Sequence, residues 1–443
     1  MRAAIVGCGE IARVHLGALR NLTDVELVGV CDRDVWRARD LAQMSDGATP
    51  YTDLGAMLAE QRPDTLHVLT PPASHAALAI QGMEAGCHVL VEKPMALSLQ
   101  EADRMIAAAE ANEVTLTPNH NYLFKPSIQK ALRLVGAGEI GDVVYVNGYY
   151  GLAGEGSAYA GRGGRSHWAY GLPGGAFTNF LPHVIYLLQA FLPDVADVQG
   201  VALAPGGGRE GQPTELAVTL QGEGGCGVLV VSMRARPYAK YVDVYGTEGT
   251  VHADLVREIA TVHRARALPR MVDKVTYSVE DGAQTLAGTV GNVAGVALGR
   301  AHGYPDLHGL VAAFYGALQA GTAPPVSAEE GRRMVGVLEA IRAHSPEPLQ
   351  RAPAARPQVV HAQVAEPQPR TAAERTLAEE GLPGKALVTG ATGFLGFRLV
   401  EALWRSGVDV VALVRDPSRM APSLGEWATI ARGDLRDPAA IAA

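Results

Sequence analysis

Cysteine and positive charge are both scarce in this sequence. Four cysteines, Cys8, Cys31, Cys87 and Cys226, are scattered over 443 residues without the spacing of metal ligands. We therefore expect neither a disulfide scaffold nor a metal site, and we predict a reduced, cytoplasmic setting. The formal net charge is −8 at pH 7, which argues against nucleic acid as the main partner.

Long apolar runs are absent as well. No segment approaches the roughly 20 apolar residues that cross a bilayer, so we expect no membrane partner. An apolar strand pattern already begins at Met1, and we expect no signal peptide ahead of it. Apolar residues nevertheless make up 48% of the chain. That fraction is ample for hydrophobic cores, and the length predicts two or three domains.

The chain does contain a dinucleotide-binding pattern at its start. Residues 1–6 read as a buried strand, and Gly7-Cys8-Gly9-Glu10-Ile11-Ala12 leads into a helical pattern. The first glycine of this G-x-G-x-x-A pattern permits a tight turn, and the second lets the backbone approach a pyrophosphate. The alanine keeps helix and strand close, and the helix N-terminus offers free N–H groups to phosphates.

The end of the second predicted strand bears on the choice of cofactor. Residues 25–31 read as a strand, and Asp32 follows it. An acid about twenty residues beyond the glycines can hydrogen-bond the adenosine ribose hydroxyls, which favours NAD. Arg33 comes next and can meet a ribose phosphate instead, so NADP stays open as the alternative.

The segment Glu92-Lys93-Pro94 is the most informative one in the chain. It follows an apolar strand at residues 87–91, which delivers Lys93 to the carboxyl edge of a parallel sheet, where doubly wound folds bind ligands. An ammonium at that edge can contact a substrate hydroxyl or carbonyl beside a bound dinucleotide. Taken alone, the same lysine is equally consistent with a solvated surface position.

Several segments together resemble the Gfo/Idh/MocA oxidoreductases, the family of glucose–fructose oxidoreductase and inositol dehydrogenase. They are residues 7–12, Thr70-Pro71-Pro72 with His75, residues 85–94, Tyr245-Gly246-Thr247-Glu248-Gly249-Thr250, and Pro324-Pro325-Val326-Ser327. The resemblance covers residues 1–345. It implies an α/β fold with a Rossmann domain at 1–118, and an α+β substrate and oligomerisation domain with an open, mostly antiparallel sheet at 119–345. It also implies a homo-oligomer, either a dimer or a tetramer.

Strand patterns at 143–150, 215–220, 227–233 and 241–245 support that sheet, and residues 174–183 resemble the family's glycine-rich entry into a helix. This helix usually carries Asp and His four residues apart. Here Asn179 and His183 have that spacing, which places them on one helix face.

The resemblance implies hydride transfer coupled to proton transfer. His183 is the predicted base, because its unperturbed pKa lies near working pH, and Lys93 orients the reacting oxygen and stabilises its negative charge. Asn179 is expected to position His183 or a substrate hydroxyl, although an amide cannot replace the charge of the usual Asp. The expected cofactor contacts are Gly7, Gly9, Glu10, Ile11, Ala12, Asp32, Arg33, Thr70, Pro71, Pro72, His75, Glu92 and Lys93.

Four residues are candidates for binding the substrate. Tyr122 lies in a segment that resembles a family motif with arginine where Leu123 stands, and it can contact substrate or simply pack. Arg162 and Arg165 lie in a glycine-rich loop that can grip an anionic group such as a nucleotide diphosphate or a uronate. A surface loop without that role is equally consistent. Trp168 can stack on a sugar ring or base, or anchor the loop.

The composition changes beyond the second domain. Residues 346–383 are rich in proline, alanine and glutamine, which predicts a flexible linker. A strand at 385–389 and the run Gly390-Ala391-Thr392-Gly393-Phe394-Leu395-Gly396 then resemble the extended short-chain dehydrogenase/reductases, the sugar-nucleotide epimerase and dehydratase group. The resemblance implies NADP as a candidate cofactor there, with contacts from Gly390, Thr392, Gly393, Phe394, Leu395, Gly396, Arg415, Asp434 and Leu435.

That group's catalytic Tyr-x-x-x-Lys segment does not occur within residues 384–443. We expect a truncated second Rossmann unit there, as part of a longer bifunctional protein. For the first 345 residues we expect an NAD(P)-dependent oxidoreductase that acts on a sugar, and the epimerase-like unit favours a nucleotide sugar. An inositol or free-sugar dehydrogenase is the close alternative. A non-catalytic dinucleotide-binding sensor is the alternative of another class, and Lys93 with His183 argues against it.

Overall fold

The computed structural model describes residues 1–152, 169, 172, 176–205, 213–298, 304–344, 385–389, 391, 396, 399–400, 403–404, 406–414 and 424–433. The chain divides into two compact units, Met1–Pro357 and Gln358–Ala443. The predicted linker at 346–383 lies outside the described residues. None of the described helices combines the length and apolarity needed to cross a membrane.

The first domain alternates strands and helices. Its strands are β1 (Arg2–Val6), β2 (Glu26–Cys31), β3 (Thr49–Tyr51), β4 (Thr65–Val68), β5 (His88–Val91) and β6 (Leu116–Pro118), and its helices are α1 (Glu10–Arg20), α2 (Val35–Met44), α3 (Leu54–Gln61), α4 (His75–Glu84) and α5 (Leu99–Ala111). The strands pair in parallel in the order β3-β2-β1-β4-β5-β6. This order reverses between β1 and β4, so a ligand crevice opens at the carboxyl ends of those strands. The predicted Rossmann fold is confirmed.

Side-chain caps explain where several of these helices begin. Asp34 and Asp53 each accept a hydrogen bond from a backbone N–H in the first turn of α2 and α3. Ser98 caps α5 by accepting from the Glu101 N–H at 3.2 Å, as its sequence position predicts. The Glu101 carboxylate in turn accepts a hydrogen bond from the Leu97 N–H at 2.9 Å. The side chains of Ser98 and Glu101 thus each pair with a backbone N–H at the start of α5.

The second domain is built on a seven-stranded sheet. Its strands are β7 (Val143–Gly151), β8 (Asp197–Pro205), β9 (Pro213–Gln221), β10 (Cys226–Ser232), β11 (Ala239–Gly246), β12 (Gly249–Asp254) and β13 (Ile259–Arg264), in the order β13-β12-β11-β7-β10-β9-β8. Only the pair β7 and β10 is parallel among these neighbours. The mostly antiparallel sheet expected from the resemblance is therefore confirmed.

Two helices cover one face of this sheet near its centre and edge, α6 (Pro126–Gly136) and α7 (Phe177–Phe191). Nearly every residue of α7 is buried, including Asn179 and His183. A helix that is apolar on all sides belongs in a core rather than at a surface. The candidate catalytic residues Asn179 and His183 are therefore held in a fixed place between the sheet and the first domain.

The chain returns to the first domain after completing the sheet. Helix α9 (Pro305–Ala320) buries Phe314 and Tyr315 in the same apolar cluster as Ile5 and Leu16, and α10 (Ala328–His344) contacts α5 and α7. The prediction placed all of residues 119–345 in the second domain, so it did not anticipate that α9 packs against the first. Sequence periodicity cannot show it, because a helix that packs on either domain has the same pattern.

Helix α8 (Arg270–Ala297) has no counterpart among the sequence-based predictions. It runs for 28 residues along β13. Six valines and four glycines fall within it, and both residue types lower helix propensity. The helix propensities of its residues therefore give little sign of this helix in the sequence.

The second unit contains three parallel strands, β14 (Lys385–Thr389), β15 (Asp409–Val414) and β16 (Thr429–Arg432), and a short helix α11 (Leu424–Trp427). Apolar residues such as Val388, Val410 and Val414 form a small core of their own. The strand predicted at 385–389 is present as β14, and the strand predicted next in the chain, at 408–414, is present as β15. The third was not predicted.

Candidate functional site

A cavity of about 960 Å³ lies where the first domain meets the second. The carboxyl end of the parallel sheet contributes Ile11, Thr70 and Lys93 to its wall, and the second domain contributes Tyr122, Asn179 and His183. Segments far apart in sequence thus line one cavity. The structure brings together the predicted catalytic residues and part of the predicted cofactor set.

The glycine-rich turn at the cavity's edge requires glycine at its first position. Gly7 has a φ of +96°, and a Cβ at this position would lie 2.7 Å from the backbone of Leu69 and Thr70. No other residue tolerates both the conformation and the contact. Gly9, the N-cap of α1, makes no side-chain cap, and a Cβ there would have no atom within 4 Å. The N-terminus of α1 is therefore open to an anion.

Asp32 braces this turn from the end of β2. Its carboxylate accepts hydrogen bonds from the backbone N–H groups of Cys8 at 2.8 Å and Asp34 at 2.9 Å. A glycine turn with an open helix N-terminus and an adjacent acid fits the pyrophosphate and ribose of a dinucleotide. Around it, Glu10 and Arg33 are exposed, Ala12 is buried, and Ile11 lines the cavity.

The Thr70–His75 segment divides between the cavity wall and the core behind it. Thr70 and Pro72 line the cavity and Pro71 is exposed. His75 is buried, with Nδ1 2.9 Å from the Pro94 oxygen and Nε2 2.6 Å from the Thr70 oxygen. Burial lowers the pKa of His75. The structure places this residue as a link between two wall segments and not among the lining residues.

Lys93 is held by Asn179. Its ammonium donates to the backbone oxygen of Asn179 at 3.0 Å and to Oδ1 of the same residue at 3.2 Å. An ammonium has three N–H donors, and two of them are used in this way. Burial lowers the pKa of Lys93, while the Glu92 carboxylate opposes that shift. Asn179 thus positions the lysine, where the sequence predicted a contact to His183 or substrate.

His183 lies in a stack of aromatic rings. Its ring is 4.2 Å from that of Tyr122 between centroids, and its Nδ1 is 2.8 Å from the Tyr186 hydroxyl. Burial, then the charges of Lys93 and Lys240, hold the pKa of His183 well below its usual value. The imidazole is therefore neutral at pH 7 and able to accept a proton. It is a weaker base than an unperturbed histidine, which is a difference from the sequence-based expectation.

Two residues that the sequence analysis missed complete this cluster. Tyr186 accepts the Tyr122 N–H at 3.2 Å as well as meeting His183. Lys240 is buried, donates to the Tyr122 hydroxyl at 3.1 Å and lies 4.1 Å from the centroid of the Tyr150 ring. A signal for Lys240 did exist. It occupies an inward position of β11, the face that otherwise carries Val242 and Val244.

A chain of buried polar groups runs from the cavity into the first domain. Glu92 accepts from Asn119 at 2.5 Å and lies 3.6 Å from Nε2 of His15. His15 Nδ1 is 2.8 Å from His67 Nδ1, and His67 Nε2 is 3.0 Å from the Tyr315 hydroxyl. Both histidines are fully buried. Burial holds the pKa of His67 well below its usual value, so this ring is neutral.

Several predicted residues lie outside the described part of the chain. They are Arg162, Arg165, Trp168, Gly390, Thr392, Gly393, Phe394, Leu395, Arg415, Asp434 and Leu435. Gly396 is described and lies in a helical segment of the second unit. Within the described residues, no group of three or more His, Cys, Asp or Glu is placed to hold a metal ion.

Comparison with protein-family models assigns the two domains of the first unit. Residues 1–120 match the model described as "Oxidoreductase family, NAD-binding Rossmann fold", and residues 128–252 match the "GFO/IDH/MocA C-terminal domain". The chain belongs to the GFO/IDH/MocA oxidoreductase family. Residues 386–443 match a third model, the "NAD dependent epimerase/dehydratase family". Both resemblances noted in the sequence are thereby confirmed.

Two similar proteins are named as dehydrogenases of a sugar and of an inositol. D-apiose dehydrogenase from Paraburkholderia graminis is 35% identical over 140 residues, which span 32% of this chain and 37% of that protein. A scyllo-inositol 2-dehydrogenase (NADP(+)) from Bacillus subtilis is 28% identical over 265 residues, 60% of this chain and 77% of that protein. The match to the first relative therefore spans less than half of its length.

The same fold occurs in solved structures. The WlbA dehydrogenase from Bordetella pertussis, in complex with NADH and UDP-GlcNAcA, aligns with a TM-score of 0.62 and 22% identity over 78% of this chain and 95% of that one. At this identity the comparison shows the shared fold.

A pair of glycine substitutions in the family's cofactor turn separates folding from binding. Gly7→Ala forces a Cβ against the backbone of Leu69 and Thr70 at positive φ, so we expect it to lower stability by more than about 1 kcal/mol and to weaken dinucleotide binding. Gly9→Ala meets no neighbouring atom. We expect it to keep the parent stability and weaken binding alone, because its methyl group projects at the open helix N-terminus. Urea unfolding and fluorescence titration with NAD measure the two effects, and equal stability of the two variants would contradict this account.

Proposed function

We propose that this chain is an NAD(P)-dependent oxidoreductase that transfers a hydride between a sugar, preferably a nucleotide sugar, and nicotinamide. One observation carries the proposal: Lys93 of the first domain and His183 of the second line a single cavity beside a turn suited to a dinucleotide. Proton handling at a carbinol needs one group that holds the oxygen and one that takes its proton. These two residues supply both.

The roles of the residues follow from their surroundings. Asn179 occupies two of the ammonium's donors, which leaves the third to hold the substrate oxygen and to stabilise its negative charge during oxidation. Tyr186 meets Nδ1 of His183, which leaves Nε2 to accept the hydroxyl proton. This role requires that Nδ1–H of His183 donate to the Tyr186 oxygen, because this tautomer leaves Nε2 unprotonated, as a base requires. The nicotinamide, when bound, accepts the hydride.

Two features support the choice of substrate and cofactor. The cavity volume of about 960 Å³ is at the upper end of the range for small-molecule sites, which suits a bulky substrate. The epimerase-family segment at 386–443 points to nucleotide sugars, because a tether raises the concentration of one site's product near the next. Asp32 favours NAD over NADP, since a carboxylate repels a ribose phosphate.

The test is turnover measured by nicotinamide absorbance. The purified chain would be given NAD or NADP with a panel of UDP-sugars, free aldoses and inositols, and released protein-bound cofactor would be analysed in parallel. We expect reduction of NAD with a nucleotide sugar. Turnover with inositols or free sugars alone would replace the substrate assignment. Dinucleotide binding without turnover, and with no reduced cofactor retained on the protein, would overturn the enzyme in favour of a sensor.

A further inference from the structure

Helix α8 is amphipathic, but its polar side faces the protein and its apolar side faces solvent. Polar residues face the protein: Gln284 exchanges two 3.0 Å hydrogen bonds with the backbone of Val262, and Asn292 donates to the Arg257 oxygen at 2.7 Å. Tyr277 stacks on His263 on the same side. All 28 residues of the helix are described, and none is buried. A surface helix normally turns its apolar stripe towards the core.

The outer side of α8 carries a heptad pattern. Val272, Val279, Leu286 and Val293 recur every seven residues, and Val275 stands three residues after the first of them, while the next two positions of that kind hold Gly282 and Thr289. We call the five apolar residues of this pattern, Val272, Val275, Val279, Leu286 and Val293, the α8 seam. Their exposed fractions lie between 50% and 66%. Apolar residues at the a and d positions of successive heptads form the contact line of two packed helices.

The side chains along the seam indicate what kind of partner can bind there. The second half of α8, residues 282–297, carries no charged side chain, so a highly charged peptide or nucleic acid finds no counter-ion along that half. Helices that lie on a lipid surface have Lys and Arg along the polar face with bulky Trp, Phe or Leu opposite. The seam is instead mostly valine, a residue that packs well at the a positions of paired helices. Another heptad helix of the same kind is therefore the fitting partner.

The area of the seam matches a stable self-contact. With the flanking Met271 and Val290, also exposed by 74% and 59%, the side chains present roughly 800 Å², which is what each partner contributes to a standard interface. A two-fold axis brings the same patch of two copies together, so one seam supplies both sides. We propose that α8 pairs with α8 of a second copy of this chain, and that this pair is a principal interface of a homo-oligomer.

The test compares the full chain with two variants of α8 by sedimentation velocity over a range of concentrations. We expect the parent to sediment at twice the chain mass of 46.5 kDa or a larger multiple. Leu286→Glu places a charge in the seam and is expected to halve that mass, with dissociation at least tenfold easier. Ala287→Glu adds the same charge to an exposed position of the same helix outside the seam, and it is expected to keep the parent mass.

Each other result would overturn the proposal. A parent chain that stays at 46.5 kDa at all concentrations has no self-contact, and flotation of that monomer with phosphatidylcholine–phosphatidylglycerol vesicles would assign the seam to a membrane instead. An oligomer that Leu286→Glu leaves intact uses a different surface. Circular dichroism serves as the folding control. Leu286 is exposed in the single chain, so Leu286→Glu should give the same spectrum as the parent.

Discussion

Replacing Lys93 by methionine is expected to lower the turnover of this chain by about 100- to 1,000-fold. The side chain keeps its length but loses the ammonium that is proposed to hold the substrate oxygen, and removing one such donor from an oxyanion site typically has this effect. Stopped-flow or steady-state reduction of NAD measures the loss. Because the residue acts on the reacting oxygen, we expect the decrease in kcat, with the dissociation constant of NAD changed by less than about threefold.

Lys130→Met is the matched control for this change. Lys130 donates to the Ala260 oxygen at 2.9 Å and lies on α6, apart from the residues that line the cavity. The control should retain parent turnover. If Lys93→Met were to keep more than about a tenth of parent turnover, Lys93 would not be the residue that stabilises the oxygen. A loss of NAD binding in the same proportion would assign it to the cofactor site.

Acidification from pH 7.5 to pH 5.5 is expected to destabilise the first unit, by up to about 1.4 kcal/mol for each histidine whose pKa is lowered by burial. Burial holds the pKa values of His67 and His183 well below the usual value, and lowers that of His120 to about 3. Below pH 6.5 the unfolded chain binds protons at these positions while the folded chain does not. Stability therefore falls as pH falls, by about 1.4 kcal/mol per histidine at one pH unit below 6.5.

Urea unfolding at the two pH values measures this difference, and two variants test its origin. His120 is 1% exposed, stacks on Tyr186 at 4.2 Å, and its Nε2 has no hydrogen-bond partner among the described residues. In His120→Phe the stacking ring remains and the titrating group is gone, so the pH difference should shrink by about 1.4 kcal/mol. His344→Gln, at an exposed position, should leave the difference unchanged. Equal pH dependence in both variants would contradict the assignment.

The first domain was predictable because its signals are local. A strand, a glycine turn and a helix are neighbours in sequence, and the alternation of strands and helices predicts a parallel sheet, which the structure has in the order β3-β2-β1-β4-β5-β6. Ser98 is a comparable case, since a cap and its helix lie within four residues. The placement of Lys93 at the cavity follows from the rule that parallel strands present their carboxyl ends at one edge.

The second domain was less predictable because its signals are distant. Lys240 reaches Tyr122 across 118 residues of sequence, and no local pattern links the two. Distant contacts escape prediction in the first domain as well: the pairing of His15 with His67 joins a helix and a strand whose apolar patterns give no reason for a histidine contact. Helix α8 was missed because its valines and glycines disfavour a helix locally, and its contacts with β13 were not visible in the sequence.

By itself, the sequence determined the family, the Rossmann topology, the glycine turn and the identity of the lysine and histidine that meet in the cavity. These features depend on short segments whose backbone requirements are strict, and such requirements leave a readable pattern. Only the tertiary structure decided that Asn179 holds Lys93 and that the pKa of His183 lies well below its usual value. It also decided that α8 turns its valines outward. Hydrogen-bond partners, burial and the exposed side of a helix are set by groups that approach only when the chain is folded.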